Sequence, residues 1–311
     1  MKKTERKRVA AIGECMVELR DLGEGRLERG YGGDTLNTAV YMARQLGNSA
    51  VVEYVTALGD DPFSEEMIES WRAEGLGTSL VTRLPGRRPG LYIIRTDDQG
   101  ERSFFYWRGE AAARDLLKDP QCRAAVERTR TFDLVYLSGI TLGILDGESR
   151  ARLFTLLDDV KAAGGRVAFD GNFRPALWPD FDIARDAMEQ VLRRTDIALP
   201  SFDDESRLFG DRSLQETVAR LRDLGVGEAV IKNGSELSLV LSEGETIPVP
   251  PQKADHVVDT TAAGDSFNGA YLAARLKGQS AIDAAAAGHK LAAYVVTKRG
   301  AIVPAQESVT S

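Results

Sequence analysis

Short apolar runs alternate with longer helical patterns over most of this chain, and that alternation limits its possible folds more than any other feature. The runs lack polar alternation, which is typical of strands covered on both faces. They lie at residues 9–13, 51–58, 134–137, 167–170, 197–199 and 228–232. The helical patterns span residues 36–46, 63–74, 149–163, 183–193, 214–224, 264–276 and 281–298. This order predicts a mostly parallel sheet with helices on both faces.

One segment departs from this pattern. Residues 91–96 and 103–108 are rich in β-branched and aromatic side chains and flank a polar, glycine-containing stretch at 97–101. The arrangement predicts a β-hairpin. Such a hairpin often projects from the main sheet, where its aromatic residues and Arg108 would face a ligand. An ordinary edge hairpin without that role is the alternative.

The composition excludes several classes of protein. Hydrophobic residues make up 43% and charged residues 28% of the 311 residues, as in a soluble globular protein. The net charge of -7 argues against a nucleic-acid partner, which requires a basic face. Two cysteines, Cys15 and Cys122, and two histidines cannot form a disulfide framework, a zinc site or a histidine-rich metal centre.

The sequence also gives expectations about location and domain number. No segment approaches the ~20 apolar residues of a membrane-spanning helix, so no membrane partner is expected. The basic N-terminal residues precede an apolar run that is too short for a signal peptide and is followed by Glu14 and Glu18. We therefore expect a cytoplasmic protein. No linker rich in Pro, Gly or Ser divides the chain, which predicts one domain over residues 1–311.

The strongest chemical signal is the sequence DTTAAGDSF at residues 259–267. Small residues let the backbone approach an anion, and the helical pattern that begins at Gly264 directs free amides and the helix dipole towards it. Asp265, in the first turn of that helix, is well placed to take a proton from a substrate hydroxyl. A helix cap is the common role of such an aspartate. The small residues around it favour catalysis here.

A second signal is the sequence GGDTLN at residues 32–37. The two glycines allow a tight turn, and Asp34 or Thr35 is the predicted cap of the helix that follows. Asn37 would lie one turn into that helix, with its amide able to reach a ligand over the helix start. This motif is weak evidence by itself, because capped helices after turns are common.

The two motifs together resemble those of the ribokinase-like (PfkB) carbohydrate kinases. The family has an N-terminal glycine pair followed by Asn, and a C-terminal Asp-Thr-x-Gly-Ala-Gly-Asp signature, from which this chain departs at Ala262. The resemblance covers essentially the whole chain. It implies a three-layer α/β/α sandwich with a mostly parallel central sheet. It also implies a small β-sheet lid formed by about residues 19–31 and 90–108.

Within the family the chain is most similar to kinases of the sugar acid 2-keto-3-deoxygluconate. The similarity lies in residues 13–18, 33–38, 105–108 and 170–178. It implies phosphorylation of the acid by ATP at the 6-hydroxyl, which gives 2-keto-3-deoxy-6-phosphogluconate. Guanidinium groups are well suited to hold the substrate carboxylate. The implied substrate contacts are Glu18, Gly33, Asp34, Asn37, Tyr92, Tyr106, Arg108, Arg174 and Asp265.

For either arginine alone, a surface salt bridge is the simpler interpretation. A kinase of a neutral sugar, such as fructose or ribose, is an alternative function that leaves the two arginines unexplained. A catalytically silent sugar-binding protein is another, and the presence of Asp265 argues against it. No P-loop motif and no Gly-x-Gly-x-x-Gly fingerprint occurs, which excludes those nucleotide-binding folds.

The resemblance also implies an ATP site and a magnesium ion. ATP contacts are expected from Asn172, Lys232, Gly234, Thr261, Ala262, Gly264, Ala286 and His289, although a core or surface role for His289 is an equal alternative. Asp204 is expected to act on Mg²⁺ through water, with Glu205 as the adjacent alternative. The family usually has Asn where Ser201 lies. A requirement for a monovalent cation such as K⁺ stays open, and a homo-oligomer, a dimer or larger, is expected.

The implied mechanism is in-line phosphoryl transfer. Asp265 takes the proton of the 6-hydroxyl, and the oxygen attacks the γ-phosphate. The amides of Ala262, Ala263 and Gly264 stabilise the developing charge together with Mg²⁺.

Overall fold

The computed structural model of the protein describes residues 6–96 and 102–304. Its strands are β1 Lys7–Ile12, β2 Met16–Asp21, β3 Leu27–Gly32, β4 Ala50–Leu58, β5 Val81–Arg83, β6 Leu91–Thr96, β7 Arg102–Trp107, β8 Leu134–Ser138, β9 Arg166–Asp170, β10 Ile197–Ala198, β11 Glu228–Ile231, β12 Ser238–Ser242 and β13 Glu245–Val249. Its α-helices are α1 Asp34–Leu46, α2 Pro62–Ala73, α3 Arg123–Thr129, α4 Gly139–Ile144, α5 Gly147–Ala162, α6 Phe181–Leu192, α7 Phe202–Phe209, α8 Leu214–Asp223, α9 Ala263–Leu276 and α10 Ala281–Val295.

A nine-stranded sheet forms the centre of the molecule, in the order β13-β12-β11-β10-β9-β8-β1-β4-β5. The six strands predicted from apolar runs all lie in it and run parallel to one another. The short β5 extends the parallel set at one edge. At the other edge β12 and β13 are antiparallel, and these two strands were not predicted. The predicted mostly parallel sheet is confirmed.

Helices cover both faces of this sheet. Successive strand residues point to opposite faces, so each strand contributes to the packing on both. On β1, Val9 and Ala11 pack into one hydrophobic cluster, and Ala10 and Ile12 pack into the other. The first cluster includes buried residues of α1, α2, α9 and α10. The second includes residues of α3 to α8. The chain is therefore a three-layer α/β/α sandwich, as expected.

A separate four-stranded sheet, here called the small sheet, has the order β3-β2-β6-β7. Two antiparallel hairpins, β2–β3 and β6–β7, are joined by parallel pairing of β2 with β6. The predicted hairpin at residues 91–96 and 103–108 is confirmed. Its predicted turn at 97–101 lies outside the described residues. The small sheet is built from the two segments predicted to form the lid, and its first strand begins at Met16 rather than near residue 19.

Among the described helices, none has the length and apolar character required to cross a bilayer.

Candidate active site

Asp265 lies in the first turn of α9, and the interpretation of this residue as a helix cap is wrong. The cap position belongs to Ala262, and no side chain caps the helix. The Asp265 carboxylate instead accepts a hydrogen bond from Asn37 Nδ2 on α1 at 2.8 Å. The hydroxyl of Thr38, the next residue on α1, donates to the backbone oxygen of Asp265 at 3.2 Å. The two sequence motifs thus meet where the two helices pack together.

The close packing of α1 on α9 depends on a glycine. A Cβ at Gly269 would lie 2.7 Å from Tyr41 Cβ and 2.8 Å from the Thr38 backbone oxygen. These distances are too short for any side chain, so only glycine allows the two helices to approach this closely. Gly269 and Tyr41 lie one turn after Asp265 and Asn37, so the helices are close where that hydrogen bond forms.

The electrostatic surroundings of Asp265 suit a general base. Burial raises the pKa of Asp265 to about 7, and the negative charges of Asp34 and Asp170 act in the same direction. The hydrogen bond from Asn37 and the positive charge of Lys232 oppose the rise. A base with a pKa near neutrality is ionised in a large fraction of molecules at neutral pH and is still basic enough to accept a substrate proton.

The loop before α9 has a conformation that explains the glycine usual in the signature. Ala262 has φ 58° and ψ 18°, the left-handed region, which costs an alanine about 1–2 kcal/mol. The loop is held by bonds from the amides of Thr261 and Gly300 to the Asp259 carboxylate, at 2.9 and 3.0 Å. The Ala263 amide donates to Thr260 O at 3.2 Å. That amide is therefore already partly engaged within the loop.

Lys232 lies beside this loop, held by two residues that sequence reasoning missed. Its ammonium group donates to Asn268 Oδ1 at 3.0 Å and to Asp170 Oδ2 at 3.3 Å. Asn268 also donates to Asp170 Oδ2 at 2.7 Å. A Cβ placed on Gly264 would be 3.5 Å from Lys232 Nζ. A positive charge therefore faces the first turn of α9, where an anion is expected to bind.

Two signals in the sequence pointed to the missed residues. Asp170 is the last residue of a predicted parallel strand, and ligands often bind at the carboxyl ends of such strands. Asn268 follows Asp265 by three residues, a spacing that places both on one face of a helix. Neither signal shows that Asp170 and Asn268 both bind Lys232.

The start of α1 differs from its prediction. Gly33, not Asp34 or Thr35, occupies the cap position, and no side chain caps the helix. The Asp34 carboxylate instead accepts from Asn172 Nδ2 at 2.7 Å, and the Thr35 hydroxyl contacts Tyr54 OH at 3.1 Å. Gly33 is extended, with φ 179°, so a tight turn is not its role. A Cβ there would lie 2.1 Å from the backbone oxygen of Glu14, and only glycine fits.

Arg108, at the end of the small sheet, is paired with a carboxylate that was given no role from the sequence. Its Nη2 donates to Glu14 Oε2 in a short contact. Only 11% of the arginine side chain and 1% of the glutamate side chain are exposed, so this is not the surface salt bridge of the alternative interpretation. The guanidinium carbon of Arg108 lies 5.7 Å from the ring centroid of Tyr106.

Arg174 approaches the same tyrosine from the large sheet. Burial raises the pKa of Tyr106, and the charges of Arg108 and Arg174 both oppose this rise. The charges of both guanidinium groups are therefore felt at this tyrosine. Arg174 is 52% exposed and lies 3.7 Å from Asp204 Oδ1. Each of the two arginines predicted for a substrate carboxylate is thus paired with a carboxylate of the protein, Arg108 with Glu14 and Arg174 with Asp204.

Tyr92 and Glu18 contact each other within the small sheet. The Tyr92 hydroxyl donates to the Glu18 carboxylate in a short contact, which Arg20 also binds at 3.2 Å. Burial raises the pKa of Tyr92, and Glu18 adds to that effect. The ring of Tyr92 stacks on Tyr106 with centroids 5.7 Å apart. The Tyr92 hydroxyl, predicted to contact substrate, is engaged by a neighbouring carboxylate.

Three comparisons with known proteins identify the family. Residues 6–308 match the model described as "pfkB family carbohydrate kinase". The chain belongs to this family. It is 49% identical over 302 residues to the 2-dehydro-3-deoxygluconokinase of Escherichia coli K12, and 50% identical over 302 residues to the enzyme of that name from Dickeya dadantii. Both alignments cover 96% of this chain and 97% of the relative.

The fold is also that of solved PfkB proteins. A putative ribokinase II from E. coli, in complex with ATP and Mg²⁺, superposes with a TM-score of 0.82 at 25% identity. That alignment covers 96% of this chain and 94% of the other. Membership of the family makes the chain a carbohydrate kinase, so a phosphoryl donor and a sugar must meet at its site.

The residues predicted for the nucleotide side of this PfkB kinase differ in exposure. Gly234 lies in a turn with φ 56°, just after β11. Ala286 is exposed on α10. His289 is 9% exposed, with Nε2 2.9 Å from Ser238 Oγ and its ring edge-on to Phe267. Burial lowers the pKa of His289. The histidine therefore packs mainly in the core beneath α10.

Asp204 fits an indirect role towards a magnesium ion. Its Oδ2 accepts from Ser201 Oγ at 2.9 Å and from the Phe173 amide at 3.1 Å. Glu205 is paired with Arg220 at 2.5 Å and buried, which leaves it less suited than Asp204. Within the described ranges, no group of three acidic, histidine or cysteine side chains is arranged to hold a metal directly. A Mg²⁺ ion retains several waters in many phosphate sites, so contact through water is consistent with these residues.

Proposed function

We propose that this PfkB kinase transfers the γ-phosphate of ATP to the 6-hydroxyl of 2-keto-3-deoxy-D-gluconate, giving 2-keto-3-deoxy-6-phosphogluconate. The observation that carries the proposal is that the charges of two guanidinium groups, Arg108 and Arg174, both act on Tyr106. A guanidinium group suits a substrate with a carboxylate, and a neutral sugar has no group that needs one. Relatives about half identical over nearly their whole length carry the name of this activity.

In the proposed reaction Asp265 accepts the proton of the 6-hydroxyl, and the oxygen forms a bond to the γ-phosphorus. The bond from that phosphorus to the β–γ bridging oxygen breaks, and ADP leaves. Asn37 orients the base through its 2.8 Å hydrogen bond. Lys232 and the amides at Ala262 and Gly264 face the negative charge that develops on the phosphoryl group.

The remaining predicted contacts divide between substrate and cofactor. Gly33, Asp34 and Asn37 border the sugar at the start of α1, and Tyr106, Arg108 and Arg174 receive its acid end. Asn172, Gly234 and Thr261 border the nucleotide. A bound Mg²⁺ would neutralise phosphate charge, with Asp204 acting on it through water. The site in this proposal lies between the two sheets.

We further propose that the small sheet acts as a lid over the sugar. Closure would exclude water from the γ-phosphate and limit ATP hydrolysis. The strand β7 lies at the edge of the small sheet and exposes Phe105 and Trp107, which supports assembly into a homo-oligomer. A cytoplasmic location is consistent with ATP as the phosphoryl donor.

A coupled ADP-release assay over a panel of sugars and sugar acids tests the substrate. We expect turnover of 2-keto-3-deoxygluconate with kcat/KM well above that for fructose and ribose. Arg174→Ala should lower kcat/KM for the acid by about 10- to 100-fold through loss of a charge-assisted contact, and change fructose use little. Arg212→Ala is the matched control, since this arginine is exposed and pairs with Glu216 on α8. Better use of fructose or ribose than of the acid would establish the neutral-sugar alternative.

A further inference from the structure

Glu14 is a buried carboxylate at the junction of the large sheet and the small sheet. It lies in the short connection between β1 and β2, where 1% of its side chain is exposed. Burial raises the pKa of Glu14, and the positive charges of Arg108 and Arg114 oppose that rise. Replacing a buried ion pair by apolar groups is often neutral or stabilising, so stability alone is a weak explanation for one.

The contact between Glu14 and Arg108 engages one nitrogen of the guanidinium group and leaves Nη1 without a protein partner among the described residues. Nη2 of Arg108 is bound to Glu14 Oε2. Nη1 has no hydrogen bond to the described residues, and Nε of Arg108 and Oε1 of Glu14 are buried without a partner among them. Because Arg108 ends the small sheet and Glu14 follows the large sheet, the bond fixes this side chain with respect to both.

A glycine lies against the pair, where a side chain would not fit. A Cβ at Gly90 would lie 2.9 Å from Glu14 Oε1 and 3.2 Å from Arg108 Cβ. The backbone oxygen of Gly90 also accepts from the Val17 amide at 2.8 Å, which ties the start of β6 to β2. The pair therefore leaves no room for a side chain at the residue before β6.

We propose that Glu14 is a positioning residue for substrate selection: through Arg108 it holds a guanidinium in the orientation that receives the carboxylate of the acceptor sugar acid. This inference rests on the proposed function. Glu14 does not touch substrate in this scheme. Its alternative role is a counter-charge that neutralises Arg108 and has no effect on orientation.

The substitution Glu14→Asp separates the two roles, because it keeps the charge and shortens the side chain by one methylene. A positioning role predicts a KM for 2-keto-3-deoxygluconate about 10- to 100-fold higher, the usual effect of a misplaced binding group. It predicts little change in kcat and in the KM for ATP, because the contact is present in ground state and transition state alike. A counter-charge role predicts a KM equal to that of wild type.

Gly90→Ala tests the same geometry without altering either charged residue. The added methyl group would press on Glu14 and Arg108, as well as on Met16 Cγ at 2.9 Å, so the KM for the acid should again rise with kcat little changed. Glu228→Asp is the matched control, because Glu228 is buried and paired with Arg275 at 2.9 Å at the start of β11. That variant should lose stability in thermal melts and keep the wild-type KM.

Combination with Arg108→Lys shows whether Glu14 acts through the arginine. The effect of Glu14→Asp on KM should largely disappear in the Arg108→Lys background, because the positioned group is already lost. If the wild-type enzyme phosphorylates the acid, two results overturn this inference and leave the proposed function intact. One is an unchanged KM in Glu14→Asp, and the other is additive effects on KM in the double variant. If the wild-type enzyme does not phosphorylate the acid, both the proposed function and this inference are wrong.

Discussion

Replacing the proposed base should make the enzyme inactive and more stable at the same time. Asp265→Asn removes the proton acceptor, and a positioned base is worth about 10²–10⁴ in turnover. The introduced amide oxygen can still accept from Asn37 Nδ2, so the local geometry is retained. Nucleotide binding should be unchanged, since the amides and Lys232 remain.

The stability change follows from the pKa of the carboxyl group. Asp265 has a pKa of about 7 in the folded protein against an ordinary 3.8, so folding favours its protonated form between those values. The free energy of unfolding therefore falls as pH rises from about 4 to about 7, and stays low above that. At 1.36 kcal/mol per pKa unit the difference is about 4 kcal/mol.

Thermal melts of wild type and Asp265→Asn at pH 8 and at pH 5 measure this directly. At pH 8 the variant should melt about 8 °C higher, given about 2 °C per kcal/mol for a chain of this size. The gain should shrink at pH 5, where the wild-type carboxyl group is mostly protonated in the fold. A variant that is less stable than wild type at pH 8 would refute the electrostatic reasoning. Turnover within a few-fold of wild type would remove Asp265 from the role of base.

Three other substitutions test the loop before α9, proposed to bind phosphate, and the proposed Mg²⁺ site. Ala263→Asp should weaken ATP binding about tenfold or more in calorimetry, because a carboxylate at the first residue of α9 would repel phosphate. The melting temperature should stay the same or rise, and an unchanged affinity for ATP would place the nucleotide elsewhere. Ala262→Gly should raise the free energy of unfolding by about 0.5 kcal/mol, since the relief of a left-handed alanine exceeds the extra chain entropy of glycine. A lower free energy of unfolding in denaturant titration would contradict the left-handed conformation. Asp204→Asn should raise the Mg²⁺ concentration needed for half-maximal turnover, and EDTA should abolish turnover in wild type; an identical Mg²⁺ dependence would exclude Asp204.

The central sheet could be predicted from the sequence because its parallel strands are buried on both faces and appear as short apolar runs. The antiparallel strands β12 and β13 were missed. The second of them is only partly buried and includes Glu245, Thr246 and Pro248, so it carries no apolar run. The helix pattern at residues 281–298 also continued past the true end of α10 at Val295, since local propensity does not fix where packing ends.

The candidate site was predictable as two motifs, and the contacts between them were not. Asn37 and Asp265 are 228 residues apart in the chain, and Glu14 and Arg108 are 94 apart. Pairs of this kind depend on how helices and sheets pack, which local patterns do not contain. Gly33 illustrates the limit, because the sequence suggested a turn and the structure shows a close approach of two backbone segments.

The parallel pairing of β2 with β6 has a consequence for how the chain folds. The contact of Val17 with Leu91 closes a loop of about seventy residues, which carries an entropic cost that local hairpins do not pay. Each hairpin of the small sheet is a local contact, whereas the pairing of β2 with β6 requires α1, β4 and α2, which lie between the two hairpins, to be compact first. The packing of α1 on α9 joins Asn37 to Asp265 across 228 residues and closes a longer loop still. We therefore expect both the sugar side and the base side of the site to form after the local hairpins.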